Sequence, residues 1–179
     1  MKDKTIIMDC ESLNRTMARI THEVIERNRG VENICVLGVK RRGVPLAQKL
    51  VANIQKFEGK CVPCGEIDIT MHRDDLSDGY KKDNAGTSSM PCDINGKTVI
   101  IVDDVLYTGR TARAALETVF DFGRPDSVQY VVLIDRGHRE LPLRPDYVGK
   151  NVPTKKSEKV EVLLQEIDGE TSVYINDLN

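Results

Sequence analysis

Thirteen residues, Val99-Ile-Ile-Val-Asp-Asp-Val-Leu-Tyr-Thr-Gly-Arg-Thr111, restrict the possible folds more than any other stretch of the chain. The short unbroken apolar run Val99–Val102 suits a strand buried on both faces, and such strands belong to parallel sheets covered by helices. The run ends abruptly in Asp103 and Asp104. The chain then turns through Tyr107-Thr108-Gly109, and a helical pattern follows from about Arg110 to Phe122, closed by Gly123 and Pro125. Gly109 allows the backbone a positive φ and a close approach to a ligand. N–H groups of the loop and of the first helical turn lack intrahelical partners and form an anion site. Thr108 and Thr111 add hydroxyl donors. Carboxylates do not bind phosphate, so Asp103 and Asp104 need another target, and the diol of a ribose supplies two donors. The stretch therefore predicts a ribose 5-phosphate pocket, with the diol on Asp103 and Asp104 and the phosphate on Val105, Leu106, Tyr107, Thr108, Gly109, Arg110 and Thr111. Two adjacent aspartates alone would favour an aspartate cap on an ordinary strand-to-helix turn; the full pattern favours the pocket. It is not a Walker loop, because no Gly-Lys-Ser/Thr ending is present.

The rest of the chain reads as helix, strand, helix, strand, long loop, then this strand and helix, another strand, an irregular segment and a hairpin. A first helix is expected from about Ser12, as N-cap, to Arg29, with Gly30 just beyond its end. Leu13, Met17, Ile20 and Val24 make its apolar face, opposite Arg15, Arg19, His22 and Glu26. Ile34–Val39 and Val128–Ile134 are further buried strands, Glu66–Ile69 is a strand with one wetter face, and Pro45 sits in the first turn of a second helix. Val160–Ile167 and Thr171–Ile175 flank Asp168-Gly169 as a hairpin. Alternating strands and helices imply a mainly parallel twisted sheet flanked by helices, an α/β fold, with ligands at the carboxyl ends of the strands. Thr70–Cys92 is polar and aperiodic, and loops of that length in compact domains are lids or disordered segments.

Composition excludes several classes. The 179 residues fit one domain and carry no apolar run long enough for a membrane span and no apolar leader, so a cytoplasmic protein is expected. A net charge of −2 leaves no global footprint for nucleic acid. Five scattered cysteines argue against a disulfide framework. Cys61-Val-Pro-Cys64 has zinc or redox spacing but no second ligand pair, and reads as reduced structural thiols in a strand.

The Val99–Thr111 stretch resembles the ribose-phosphate motif of type I phosphoribosyltransferases, which move ribose 5-phosphate from phosphoribosyl pyrophosphate (PRPP) to a base. Asp135-Arg-Gly-His-Arg-Glu-Leu-Pro142, Asp146-Tyr-Val-Gly-Lys-Asn-Val-Pro-Thr154, Lys156-Ser-Glu-Lys-Val160, Ile67-Asp-Ile-Thr70 and Arg73-Asp-Asp-Leu-Ser77 are similar to the pyrimidine operon attenuator family, over almost the whole chain. That resemblance implies an RNA-binding regulator of pyrimidine genes that senses uridine nucleotides (UMP, UTP) and also has uracil phosphoribosyltransferase activity. It implies a type I phosphoribosyltransferase fold over residues 1–179, with a lid at about 70–92 and a small hood at about 135–160 plus the C-terminal hairpin. It also implies Mg²⁺ brought with PRPP, with no certain metal ligand in the chain, and a homo-oligomer, dimer or larger.

Site residues follow from the same resemblance. Lys40, Arg41, Arg42 and Gly43 would take the pyrophosphate, in a loop that often holds an unusual cis peptide, expected here near Lys40–Arg41. The lid would close over PRPP with Arg73 on the pyrophosphate, making Arg73, Asp103 and Asp104 the catalytic set. Arg136 and the backbone near Val160 are base-pocket candidates. Arg136 to Lys156 holds six basic residues against Glu140 and Asp146. With the polar face of the first helix, Arg19, His22, Arg27, His138, Arg139, Arg144 and Lys150 are candidates for pyrimidine operon leader RNA; charge alone favours a solvated face, and the resemblance reverses that. Ala18 departs from the hydroxyl residue common there in relatives. A purine salvage transferase without an RNA role, and a binding protein that only senses nucleotides, remain the competing readings.

Overall fold

Ile34-Cys-Val-Leu-Gly-Val39 is buried at every position, and it lies where such a run should, inside a parallel sheet. The computed structural model describes residues 4–177. In chain order the elements are β1 (Lys4–Met8), α1 (Cys10–Arg27), β2 (Ile34–Val39), α2 (Gly43–Glu58), β3 (Cys64–Ile67), a 3-10 turn (Thr70–His72), α3 (Asp78–Asn84), β4 (Thr98–Leu106), α4 (Arg110–Phe122), β5 (Ser127–Asp135), β6 (Tyr147–Asn151), β7 (Glu158–Leu163), α5 (Gln165–Asp168) and β8 (Ser172–Asp177). Five strands in the order β3-β2-β4-β5-β6 form the parallel sheet. The chain winds outward from β2 to β3, then returns across β2 to β4 and winds the other way. The order therefore reverses between β2 and β4, the place where open α/β sheets bind ligands. A three-stranded antiparallel sheet, β1-β8-β7, makes the hood.

Two cores cover the two sheet faces. One packs Leu13, Met17, Ile20 and Val24 of α1 and Leu46, Leu50 and Ile54 of α2 on Val36, Ile100 and Val102, and continues into the hood through Val160, Val162 and Val173. The other packs Ala112, Ala115 and Val119 of α4 on Cys35, Leu37, Ile101 and Val132. Leu50 is wholly buried at the centre of the first. Leu50→Ala should lower the unfolding free energy by about 2–5 kcal/mol in a urea titration, from lost burial and the cavity left behind.

Several expectations need correction. Helix α1 begins two residues before Ser12. Asp9 is its cap, its carboxylate accepting from the Ser12 N–H at 2.7 Å. At the other end Arg29 (φ 54°), rather than Gly30, takes the left-handed position, and Gly30 N–H reaches back to Ile25 O while Arg29 N–H bonds Glu26 O. Strand β3 sits two residues earlier than expected because Asp68 turns the chain, accepting from Thr70 N–H. Strand β4 continues three residues past Asp103, since β5 stays beside it to the pair Leu106–Asp135. The C-terminal hairpin is real, but α5 replaces the two-residue turn. Cys61 is exposed, lies outside any strand and donates to Gln55 Oε1, so only Cys64 of that pair belongs to a strand; all five cysteines are free. The loop from 70 to 92 contains the 3-10 turn and α3. Among the described residues no helix is long and apolar enough to cross a membrane.

Candidate active site

The carboxyl ends of β2 and β4 carry the two motifs singled out above. A cavity of about 230 Å³ opens between them, lined by Lys40, Asp68, Thr70, Arg73, Asp103, Asp104, Val105 and Thr111 among others. Six of these were expected from sequence; Asp68 and Thr70 were not. Gly109, with φ 92°, turns the chain into α4, so the first N–H groups of the helix face the loop they follow. Thr108 O accepts from the N–H groups of Glu140 and Leu141, which ties the loop to the hood.

Alternation along β4 sends the two acids to opposite faces of the sheet. Asp103 lies on the α4 face with Ile101 and is buried. Its Oδ2 accepts from the Tyr130 hydroxyl and its Oδ1 from the Asp104 N–H, both at 2.9 Å. Asp104 lies on the α2 face, its Oδ1 accepting from Val105 N–H at 2.8 Å. Burial, then the neighbouring Asp104 charge, pushes the Asp103 carboxyl well above the usual carboxylate range; the Tyr130 hydrogen bond pulls it back. Burial also raises Asp104, opposed first by its hydrogen bond with the Asp103 carboxyl, then by the Val105 N–H and the Arg42 charge. Such an acid pair, short of donors from the protein, suits the two hydroxyls of a sugar diol.

The loop after β2 is cis at Lys40–Arg41, as the family resemblance led one to expect. Lys40 lines the cavity, anchored by Glu66 at 3.0 Å and Thr87 O at 2.6 Å. Arg41 and Arg42 do not line it. Arg42 turns toward the hood and donates to Asp168 Oδ1 at 2.7 Å. Gly43 packs its Cα against the backbone of Val102, where no side chain would fit.

The base of the lid is clasped to α4. His72 lies between Glu117 and Asp121, at 3.1 and 2.6 Å. Asp74 accepts from Arg110 at 2.5 Å and lies 3.6 Å from Arg113. Arg110, expected on the phosphate, instead spans from Asp74 to Glu140 of the hood. Arg73 reaches the cavity while held by both oxygens of Asp75, at 2.8 and 2.5 Å.

In the hood Arg136 is buried, held by Thr154 Oγ1 and by the carbonyls of Lys155 and Glu158. Its guanidinium stacks 4.0 Å above the Tyr107 ring. His138 meets the same ring edge-on. Val160 is a core residue of the hood sheet. Of the RNA candidates, Arg19 bonds the Val148 and Gly149 carbonyls and pairs with Glu23, which brings α1 alongside β6 and the exposed Lys150. Arg27 pairs with Asp146, and His22 stacks on Phe57. Arg139 is spent internally on Tyr107 O, Leu143 O and Asp135. His138, Arg139 and Arg144 line an open groove of about 1050 Å³.

The chain matches the phosphoribosyl transferase domain family over residues 7–166. It is 53% identical over 175 residues, 98% of either chain, to the bifunctional protein PyrR of Clostridium novyi (strain NT). It is 51% identical over 177 residues to the protein of the same name from Clostridioides difficile (strain 630), spanning 99% of this chain and all of that one. The chain belongs to the PyrR family. Members of that family are phosphoribosyltransferases by fold, and the structure agrees. The hypoxanthine phosphoribosyltransferase of Trypanosoma cruzi superposes with a TM-score of 0.73 at 19% identity, covering 97% of this chain and 96% of that one, which establishes the shared fold. The parallel sheet, the α4 loop and the hood are thus the PyrR version of the type I phosphoribosyltransferase architecture.

Proposed function

We propose that this protein transfers the phosphoribosyl group of PRPP to uracil, releasing pyrophosphate and forming UMP, and that it binds pyrimidine operon leader RNA in response to uridine nucleotides. One observation carries the enzymatic half: Asp103, Asp104, Lys40, Arg73 and Thr111 converge on one cavity at the switch point of the sheet. The acid pair accepts the ribose diol. The N–H groups of the loop and of α4, with Thr108 and Thr111, take the 5-phosphate. Lys40 and Arg73 face the pyrophosphate. As the bond from the anomeric carbon to pyrophosphate lengthens, the ribose gains oxocarbenium character, which the adjacent carboxylates stabilise. Closure of the lid excludes water, which would otherwise hydrolyse the activated sugar. The stacked Arg136–Tyr107 pair forms one wall for the base.

Among the described residues no group of three or more His, Cys, Asp or Glu side chains could hold a metal ion. Asp103 and Asp104 at the cavity are the carboxylates that would face a Mg²⁺ carried in with PRPP, and the ion would supply positive charge for the leaving pyrophosphate. The regulatory half rests on the relatives named bifunctional protein PyrR and on the surface where Arg19 of α1 meets β6 beside Lys150. The reading includes residues 1–179 working as one domain, in a cytoplasmic homo-oligomer.

Two assays test it. With Mg-PRPP and a panel of bases, pyrophosphate release is expected with uracil; release with hypoxanthine alone would make the chain a purine salvage enzyme. A pyrimidine leader hairpin should bind more tightly with UMP than without at fixed salt. Equal absence of binding in both, with uracil turnover intact, would remove the regulatory half.

A further inference from the structure

We propose that Tyr130 is a positioning residue for phosphoribosyl transfer, its buried hydroxyl holding Asp103 as an acceptor for the ribose diol. The inference rests on the ribose-binding reading of the acid pair and extends it to a residue on the neighbouring strand. Tyr130 stands in β5 among Val128, Val131, Val132, Leu133 and Ile134, where a phenylalanine would satisfy the core. A hydroxyl there is costly, about 1–3 kcal/mol, unless it finds a partner. Its partner is Asp103 Oδ2 at 2.9 Å. The geometry is set by register: Tyr130 pairs with Ile101, two residues before Asp103 and on the same sheet face, so the phenol lies along the strand and reaches the carboxylate.

Both oxygens of Asp103 then have one donor from the protein, and each keeps a lone pair for a sugar hydroxyl. Burial and the Asp103 charge hold the phenol protonated, so the bond to the Asp103 carboxylate runs from tyrosine to aspartate. Without it, Asp103 would face burial and the Asp104 charge with only the Asp104 N–H in compensation, and would take up a proton more readily. A protonated Asp103 carries no charge and turns one of its acceptor oxygens into an O–H donor, which weakens its hold on the diol. The other groups around the pair are Arg42 on the Asp104 side, Arg139 near Tyr130, and Lys40, Asp68 and Arg73 across the cavity; Tyr130→Phe changes none of them.

The test is calorimetric binding of Mg-PRPP from pH 5.5 to 9 by the full chain, parent against Tyr130→Phe. One lost hydrogen bond to a charged group should move the acid limb of binding to higher pH by about one unit or more. Affinity on the acid limb then falls several-fold and recovers as the pH rises. The same shift is expected in kcat/KM for PRPP with uracil. In an Asp103→Asn background, Tyr130→Phe should produce no further pH shift. A Tyr130→Phe profile that superimposes on the parent, whatever happens to Tm, would reduce the tyrosine to packing. Failure of the parent itself to bind PRPP would instead overturn the ribose-site reading and this proposal together.

Discussion

Asp104→Asn should lower kcat/KM for PRPP by about 100-fold or more, with Tm unchanged or higher. The loss follows from what the carboxylate does at the end of β4. In the proposed reaction it accepts from the diol as the ribose becomes cationic, and an amide neither carries the stabilising charge nor offers two equivalent acceptors. A charged hydrogen bond contributes about 1.5–3 kcal/mol, and charge placed beside an oxocarbenium adds to it, which together reach two or more decades in rate. Stability moves the other way. Burial holds the native Asp104 carboxyl above its ordinary range, so the folded protein keeps that proton to higher pH than the unfolded chain does. Folding free energy is therefore lost as pH rises from the ordinary carboxylate range through the raised native value. Asparagine removes that loss above the window, while Arg42 keeps its pair with Asp168. Steady-state kinetics and a thermal melt at pH 7.5 check both halves. Near-normal kcat/KM would mean that the diol is bound elsewhere.

Gly43→Ala should be as damaging to activity and should also destabilise. An added Cβ at Gly43 would lie 2.3 Å from the Val102 carbonyl oxygen, a backbone atom in the central strand that has nowhere to go. Either α2 and the loop before it back away from β4, or the strand bends, and both widen the gap across which Lys40 faces Asp103 and Asp104. Overpacking of this kind costs about 1–3 kcal/mol, which lowers Tm by roughly 2–12 °C in a domain of this size. PRPP turnover should drop beyond about 100-fold, since an ångström of misplacement at a reacting centre removes that much. Gly79→Ala supplies the contrast: nothing lies within 4 Å of its added Cβ, and the site is helical, so stability should hold or rise slightly. Equal melting curves for the two variants would contradict the close approach of α2 to β4.

How much of this could be read from residues alone depended on how each element is buried. Strands β2, β4 and β5 are covered on both faces, so they appear as continuous apolar runs with sharp ends. Helix α4 was legible to the residue, because Gly109 and Gly123 bracket it. Strands β1 and β6 were missed. Each lies at the edge of its sheet, and Lys4, Thr5, Lys150 and Asn151 face solvent without the alternation that marks a half-buried strand. Helix α3 was missed because none of its residues is buried, so it has no apolar face to betray it; only Ser77, accepting from Tyr80 N–H, signals its start. The place of the acid pair and its loop, at the end of a buried strand, was legible since they are consecutive residues. Tyr130 was not. In sequence it is one more large residue in a core strand, and its role exists only once β5 is in register with β4. The positions of Arg42 and Arg110 were misjudged for a related reason: their partners, Asp168, Asp74 and Glu140, are distant in sequence.

Asp103 and Asp104 are neighbours in the chain yet tenants of different halves of the molecule. One is governed by the layer that contains Tyr130 and α4, the other by the layer that contains Arg42 and α2. A change in the α4 layer will therefore act on Asp103 directly and reach Asp104 only through the contact between the two carboxyls, and a change in the α2 layer will do the reverse. A single dipeptide thus gives the proposed sugar site two linked handles, each set from its own layer.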